Sequence, residues 1–286
     1  MTTLVTGGTG FVGAAVVRRL LARGDAVRAL ARPGSDRSNL DGLEVEIVEG
    51  DLRLPETLPP ACRGISALYH VAADYRLWVR DPQELLSANV EGTRNILRAA
   101  ASAGAGEIVY TSSVAVMGIR KDGVPSDEAT PVALDDMIGD YKRSKFLAER
   151  EVDRLFTEEG IPAIVVNPST PVGPRDIKPT PTGRLIELAA AGRMPAYVDT
   201  GLNIVHVDDV ADGHLIAAAK GTPGERYILG GEDLTLREIL AEIAALVGGR
   251  PPRLRLPRAV IYPVALIGET WARLTDGREP MATRDG

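Results

Sequence analysis

A tyrosine and a lysine stand four residues apart in Tyr141-Lys142-Arg143-Ser144-Lys145, a spacing that places them one helical turn above each other on the same face. A phenol titrates near ~10 in water and is a poor proton shuttle at neutral pH. An ammonium one turn away stabilises the phenolate and brings the group closer to use as an acid or base. The same lysine can reach the ribose hydroxyls of a nicotinamide nucleotide. Alone, such a pair is common on solvated helix faces. It gains meaning from the start of the chain, where the apolar Leu4-Val5 runs into Gly7, Gly10 and Gly13, ahead of the helix-patterned run Ala14 to Leu21. Between a strand and a helix, those glycines allow a tight turn, close backbone approach to a pyrophosphate, and close packing of the first helical turn. The helix N-terminus then offers free N–H groups and the positive end of its dipole to the phosphates. Ser112-Ser113 ends a strand pattern between the two motifs. Together they read as dinucleotide binding joined to a site for proton transfer.

Strand and helix patterns alternate around these motifs. Strands are expected at 26–31, 45–48, 67–71, 107–111 and 163–166. Long helices are expected from Pro82 to about Ala103 and from Asp140 to Glu159, the second stopped by Gly160. Such alternation favours a doubly wound parallel sheet, an α/β Rossmann fold. Beyond Asn167 the texture changes to a proline-rich loop, a helix near 184–191, a strand at 204–206, a helix at 209–219 and a strand at 226–229. The division expected is a dinucleotide-binding domain over 1–168, with 204–230 returning to it. A small C-terminal substrate-binding part is formed by 169–203 and 231–286. The mixed run Leu256 to Leu274 reads as a helix packed on that part. The chain ends at Asp285-Gly286 without a convincing final element, so an incomplete C-terminus stays open.

The composition is that of an ordinary soluble globular protein, with 44% hydrophobic and 25% charged residues and a formal charge of −6. The absence of a basic run gives nucleic-acid binding no electrostatic support. A single cysteine, Cys62, excludes an internal disulfide framework and a cysteine-based zinc cluster, which fits a cytoplasmic protein. The first strand starts almost at once, leaving no room for a signal peptide, and no apolar run reaches the ~20 residues that span a bilayer. His70, His206 and His214 show no convincing ligand spacing, so no metal is expected.

Cofactor preference is read from the end of the second strand. NAD-selective sites place a carboxylate there for the ribose 2′-OH; here Leu30-Ala31-Arg32-Pro33-Gly34-Ser35 has none until Asp36. Arg32, helped by Ser35 and Arg37, can pair with a 2′-phosphate. NADP is therefore expected, with NAD as the alternative.

The motif set resembles the extended short-chain dehydrogenase/reductases of the NAD-dependent epimerase/dehydratase superfamily, over most of the chain. The resemblance implies that Gly7, Gly10, Phe11, Val12 and Gly13 form the cofactor turn and that Asp51-Leu52 contact adenine. Ala72-Ala73, in His70-Val71-Ala72-Ala73, would run beside the cofactor, as would Pro168. It implies Ser113 as the group orienting the substrate oxygen, Tyr141 as the proton donor, Lys145 as its partner and Asn89 as a supporting residue. The phrases His70 to Trp78, Asn167 to Pro174 and Lys178 to Gly183 look closest to dihydroflavonol-reductase-like proteins and hopanoid-associated sugar epimerases.

Substrate contacts are expected from Tyr75, Arg76 and Trp78 after the fourth strand, where ligands collect in such sheets, although a loop packed by its own aromatics is an equal alternative. Met117 and Thr170 join them. Enzymes of this superfamily that act on sugar nucleotides carry an asparagine and an arginine where this chain has Thr170 and Leu202, and Leu202 cannot neutralise a diphosphate. Arg175, Arg184 and Arg193 are the nearby cations that could substitute. The partner expected is a small-molecule or lipid-linked substrate, with a homodimer and peripheral membrane contact left open. Three functions follow: foremost a reductase, with hopanoid side-chain biosynthesis as one setting left open; a sugar epimerase that oxidises transiently; and a non-catalytic nucleotide sensor. The intact Ser113, Tyr141 and Lys145 speak against the last.

Overall fold

The computed structural model describes residues 2–120 and 122–257. Among them, twelve strands and eight α-helices follow in chain order: β1 (Thr2–Thr6), α1 (Phe11–Arg23), β2 (Ala26–Ala31), β3 (Val45–Glu49), α2 (Pro59–Cys62), β4 (Ile65–His70), α3 (Pro82–Leu86), α4 (Gly92–Ser102), β5 (Glu107–Thr111) and α5 (Asp140–Glu159). The remainder are β6 (Ala163–Pro168), β7 (Thr170–Val172), α6 (Pro181–Ala190), β8 (Ala196–Val198), β9 (Gly201–His206), α7 (Val207–Lys220), β10 (Arg226–Leu229), β11 (Glu232–Thr235), α8 (Leu236–Leu246) and β12 (Leu254–Leu256).

Seven strands form one parallel sheet in the order β3-β2-β1-β4-β5-β6-β10. Alternate side chains enter opposite layers. Leu4, Leu68, Ile108 and Tyr110 join Ile96, Leu97 and Leu155 under α4 and α5. Val5, Tyr69 and Val109 join Val16, Val17 and Ala211 under α1 and α7. Burial on both faces explains why these strands read as nearly continuous apolar runs. The order of strand addition reverses between β1 and β4, and ligands of doubly wound folds collect at that crevice.

The long helix expected from Pro82 is divided. Ser87–Glu91 forms a π-turn between α3 and α4, one that carries Asn89 and accommodates an extra residue in the helical spiral. The strand expected at 204–206 does not enter the large sheet. It belongs to β9, which pairs with β7 and β11 in a three-stranded sheet. The return begins with α7, which starts at Val207 because His206 Nδ1 accepts the Asp208 N–H (3.1 Å) as its cap. β8 and β12 form a separate two-stranded sheet. Past Pro257, the helix expected over Leu256 to Leu274 lies outside the described residues.

The turn from β1 to α1 is most crowded at Gly7 and Gly13. A Cβ on Gly13 would lie 2.1 Å from the Gly7 carbonyl oxygen, against 3.3 Å for one on Gly10. Gly13→Ala is expected to lower stability by about 1–3 kcal/mol, as overpacking does, and Gly10→Ala by clearly less. Thermal melts of the two variants check this order.

Candidate active site

The nucleotide end is built from backbone. Gly7 adopts a left-handed conformation (φ +71°), and a Cβ there would fall 2.7 Å from the Ala72 nitrogen. The turn therefore lies directly against the loop leaving β4. The Gly10 N–H donates to the Gly7 carbonyl (2.9 Å), and the first bond along α1 runs from Ala14 to Gly10 (3.0 Å). The amides of Phe11, Val12 and Gly13 remain at the helix end, which carries no acidic residue in its first turn. This cradle fits the pyrophosphate of a dinucleotide.

Around it, Arg32 is exposed at the end of β2, and the Ser35 hydroxyl donates to the Arg32 carbonyl (2.8 Å). Arg37, expected to help with a 2′-phosphate, is instead engaged with Glu49 of β3. Asp51 accepts from Arg53 Nη2 (2.6 Å) and Nε (3.0 Å). Arg53 holds its carboxyl below the usual carboxylate range. Leu52 sits beside Gly92, where a Cβ would come within 2.9 Å of the leucine Cβ.

Where β5 ends, Ser113 caps a short 3₁₀ turn, its Oγ accepting from the Ala115 N–H (3.1 Å). Tyr141, in the first turn of α5, is partly buried. Burial raises its phenol, and a hydrogen bond with the Ser113 side chain works against that rise. The fold thus brings Ser113 and Tyr141 together. Lys145 is placed differently from the sequence expectation. It is 2% exposed, and its Nζ donates to the Tyr110 hydroxyl (2.9 Å) and the Thr111 carbonyl (2.8 Å). Burial pulls its ammonium down to about 8, opposed by the charge of Glu149. Tyr110 itself is fully buried and raised well above its ordinary value, so of the two phenols only Tyr141 is reachable.

Asn89 acts on the loop after β4. Its Oδ1 accepts the Asp74 N–H (2.8 Å), and its Nδ2 donates to the Asp74 carbonyl (3.0 Å) and to Ser144 Oγ (2.9 Å). Behind it runs a directional chain of buried polar groups. The Ala72 N–H donates to Thr6 Oγ1 (3.2 Å), and Thr6 Oγ1 meets His70 Nδ1 at 2.7 Å. His70 Nε2 meets Thr93 Oγ1 at 2.9 Å, and that hydroxyl donates to the Asn89 carbonyl (2.6 Å). Because Thr93 has one proton and spends it on Asn89, His70 donates from Nε2 and accepts at Nδ1.

On the substrate side, Tyr75 is 45% exposed and lies near Asp176 and Arg184, so its loop faces the 173–184 segment. Arg76 is tied to Asp74 (2.6 Å) and Glu84 (2.9 Å). Trp78 is partly buried. Met117 is not an open pocket wall; it is buried, with its sulfur 3.9 Å from Arg226 Nη1. Thr170 pairs in β7 with Ile204, Leu202 faces Leu234 across β9 and β11, and buried Pro168 ends β6 against Leu229. Arg175 is paired with Asp208, and Arg193 is exposed.

Sequence reasoning missed the groups beneath these side chains: Thr6, Thr93, Tyr110, Glu149, Asn167 and Arg226. Only Glu149 left a usable signal, since it repeats the Tyr141–Lys145 spacing one turn further on.

A Rossmann sheet with a glycine cradle at its switch point and a serine–tyrosine–lysine set at the ends of β5 and α5 defines a nicotinamide-dinucleotide enzyme. The model of the NAD dependent epimerase/dehydratase family matches residues 3–230, and the chain belongs to that family. A Synechocystis sp. protein bearing a dihydroflavonol 4-reductase name is 46% identical over 99% of this chain and 82% of its own length. Sterol demethylase protein B of Methylococcus capsulatus is 41% identical over 96% of this chain and 83% of its own. Among solved structures, gox2253 is 57% identical with a TM-score of 0.89, covering 99% of this chain and 86% of that one. UDP-glucose 4-epimerase of Thermus thermophilus, solved in complex with NAD, is 27% identical with a TM-score of 0.79, covering 90% of this chain and 86% of its own. Among the described residues, no helix is long and apolar enough to cross a membrane.

Burial lowers His70 to about 3 and His214 to about 4, both below the ordinary ~6.5 of an unfolded chain. The unfolded state therefore binds more protons below that value, and stability present above pH ~6.5 is lost as pH falls towards 4. Each ring is expected to contribute a slope of about 1.4 kcal/mol per pH unit in that window. Denaturant unfolding at pH 7.5, 6, 5 and 4.5 checks it.

Proposed function

We propose that this chain is an NADP(H)-dependent reductase of the extended short-chain type, cytoplasmic, acting on a carbonyl of an apolar, lipid-like molecule such as a hopanoid side chain. The observation that carries the reading is the convergence of the Ser113 hydroxyl on the Tyr141 phenol beside a cradle for a dinucleotide. In this reading Ser113 and Tyr141 both hydrogen-bond the substrate oxygen. Tyr141 Oη gives that oxygen its proton as the carbonyl carbon is reduced, which leaves an alcohol and a phenolate. Lys145 spends two of its three N–H bonds on Tyr110 and Thr111, and the third would be left for the ribose. The nicotinamide group, when bound, supplies the hydride. Gly7, Gly10 and the amides of Phe11, Val12 and Gly13 would hold its pyrophosphate, Asp51 and Leu52 its adenine, and Ala72, Ala73 and Pro168 the remaining length.

The apolar substrate class is supported by Leu202 and by Arg175, whose charge is already met by Asp208. A diphosphate placed there would find no spare cation at either position, and desolvating it would be costly. The sterol in the name of one relative points the same way. A second reading, an epimerase that oxidises and returns the hydride on retained cofactor, is favoured by the likeness to UDP-glucose 4-epimerase. Net consumption of NADPH by the pure protein with an accepted ketone separates the two.

Tyr141→Phe is expected to keep fold and cofactor binding and to lower turnover by about 10³-fold, since the proton source is gone. Ser113→Ala is expected to cost less, and Lys145→Met to weaken both turnover and cofactor binding. Steady-state rates with parallel cofactor titrations check the series, and near-normal turnover by Tyr141→Phe would remove Tyr141 as the acid.

NADP⁺ is expected to bind about tenfold or more tightly than NAD⁺, with Arg32→Ala abolishing the difference. Equal dissociation constants in the unaltered protein would contradict the role given to Arg32. Calorimetry against UDP, dTDP and GDP is expected to find nothing tighter than roughly millimolar. Micromolar binding of any of them would restore a sugar nucleotide as the substrate.

A further inference from the structure

Glu149 is 1% exposed, an expensive place for a carboxylate unless donors surround it. Three do. Arg226 Nη1 of β10 donates to Oε1 (3.0 Å), Arg150 Nη2 to the same oxygen (3.2 Å), and Asn167 Nδ2 of β6 to Oε2 (3.0 Å). Asn167 is fully buried, and its Nδ2 also donates to the Ser113 carbonyl (3.1 Å). One carboxylate thus connects the serine loop, the end of β6, the edge strand β10 and the middle of α5. It sits four residues beyond Lys145 on the face that carries Tyr141 and Lys145.

We infer that Glu149 is a positioning residue for this site: locked by Asn167 and Arg226, it fixes the Ser113 loop against α5 and places a negative charge one helical turn from Lys145. The inference rests on the reading of Tyr141 and Lys145 given above.

The surroundings of Lys145 make Glu149 the decisive charge. His70 of β4 is neutral, and Tyr110 of β5 is held as a phenol by burial and by the same carboxylate. Arg226 of β10 and Arg150 bond to Glu149, and Asp153 lies within the influence of both arginines. Arg94 and Arg98 of α4 are paired with Glu151 and Glu159. His214 of α7 meets Thr111 Oγ1 (2.8 Å) and the Val210 carbonyl (2.7 Å), and it is neutral. Burial lowers the lysine to about 8, and Glu149 raises it. Without that carboxylate the ammonium loses its proton at a lower pH, and Lys145 presents its charge to phenol or ribose over a narrower pH range.

The test is a titration of Lys145 by ¹³Cε NMR in the full chain without cofactor, its signal identified by loss in Lys145→Met. The midpoint is expected to fall by about one pH unit in Glu149→Gln and to stay near the unaltered value in Glu149→Asp, which keeps the charge. If Glu149→Gln does not fold, Glu149→Gln combined with Arg226→Gln removes the carboxylate together with its partner and is expected to shift the midpoint in the same direction but by less, because loss of the arginine cation acts the opposite way. A lowered melting temperature with an unmoved midpoint would show a purely structural carboxylate and overturn the inference, as would an Asp variant shifted as far as the Gln variant. The result is independent of turnover, so it is distinguishable from failure of the Tyr141→Phe prediction.

Discussion

The contact on which the molecule depends is the near-touching of two backbones at the reversal point of the sheet, where the turn after β1 presses on the loop after β4. With the Ala72 nitrogen so close, position 7 admits only glycine, and its left-handed conformation adds a second reason. That approach leaves the end of α1 open and sets the height at which the β4 loop crosses it. The positions of Ala73, Asp74 and Tyr75 follow from it, and so does the wall of the cleft.

A second layer of order is polar and buried. Parallel strands packed on both faces leave few places for a hydrogen-bonding side chain, yet Thr6, His70, Thr93 and Asn89 form an ordered series with one direction of donation. Each member satisfies the next, which makes the burial of four polar groups tolerable. The series joins the first strand to the π-turn and the π-turn to the loop over the cleft. The Lys145 neighbourhood follows the same rule, with Tyr110 and Thr111 receiving the ammonium that burial would otherwise neutralise.

The sheet was legible in the sequence because its strands are short apolar runs bounded by glycine, and the long helices because their apolar positions repeat. The glycine turn was legible because backbone geometry alone dictates it. Contacts between distant side chains were not. Nothing in the spacing of Lys145 says that its ammonium turns to Tyr110, thirty-five residues earlier on a strand. Nothing around Arg37 announces Glu49. Strand β9 looked like a return to the main sheet because its residues are apolar, but its partner is decided by β7, whose three residues carry little pattern. Asn89 was placed by resemblance, whereas its grip on Asp74 became visible only in three dimensions.

The π-turn between α3 and α4 has a consequence for how this chain can vary in length. An α-helix advances about 100° per residue, and the wider turn at Ser87–Glu91 absorbs one residue more than a regular helix would hold. Deleting one residue there would let the segment close as a continuous α-helix, with Thr93 still directed at His70 and Ile96 and Leu97 still in the layer they fill. What the deletion would remove is the bulged backbone that carries Asn89, and with it the grip on Asp74. A gap there in a comparison of sequences would mark a rebuilt cleft above an unchanged core.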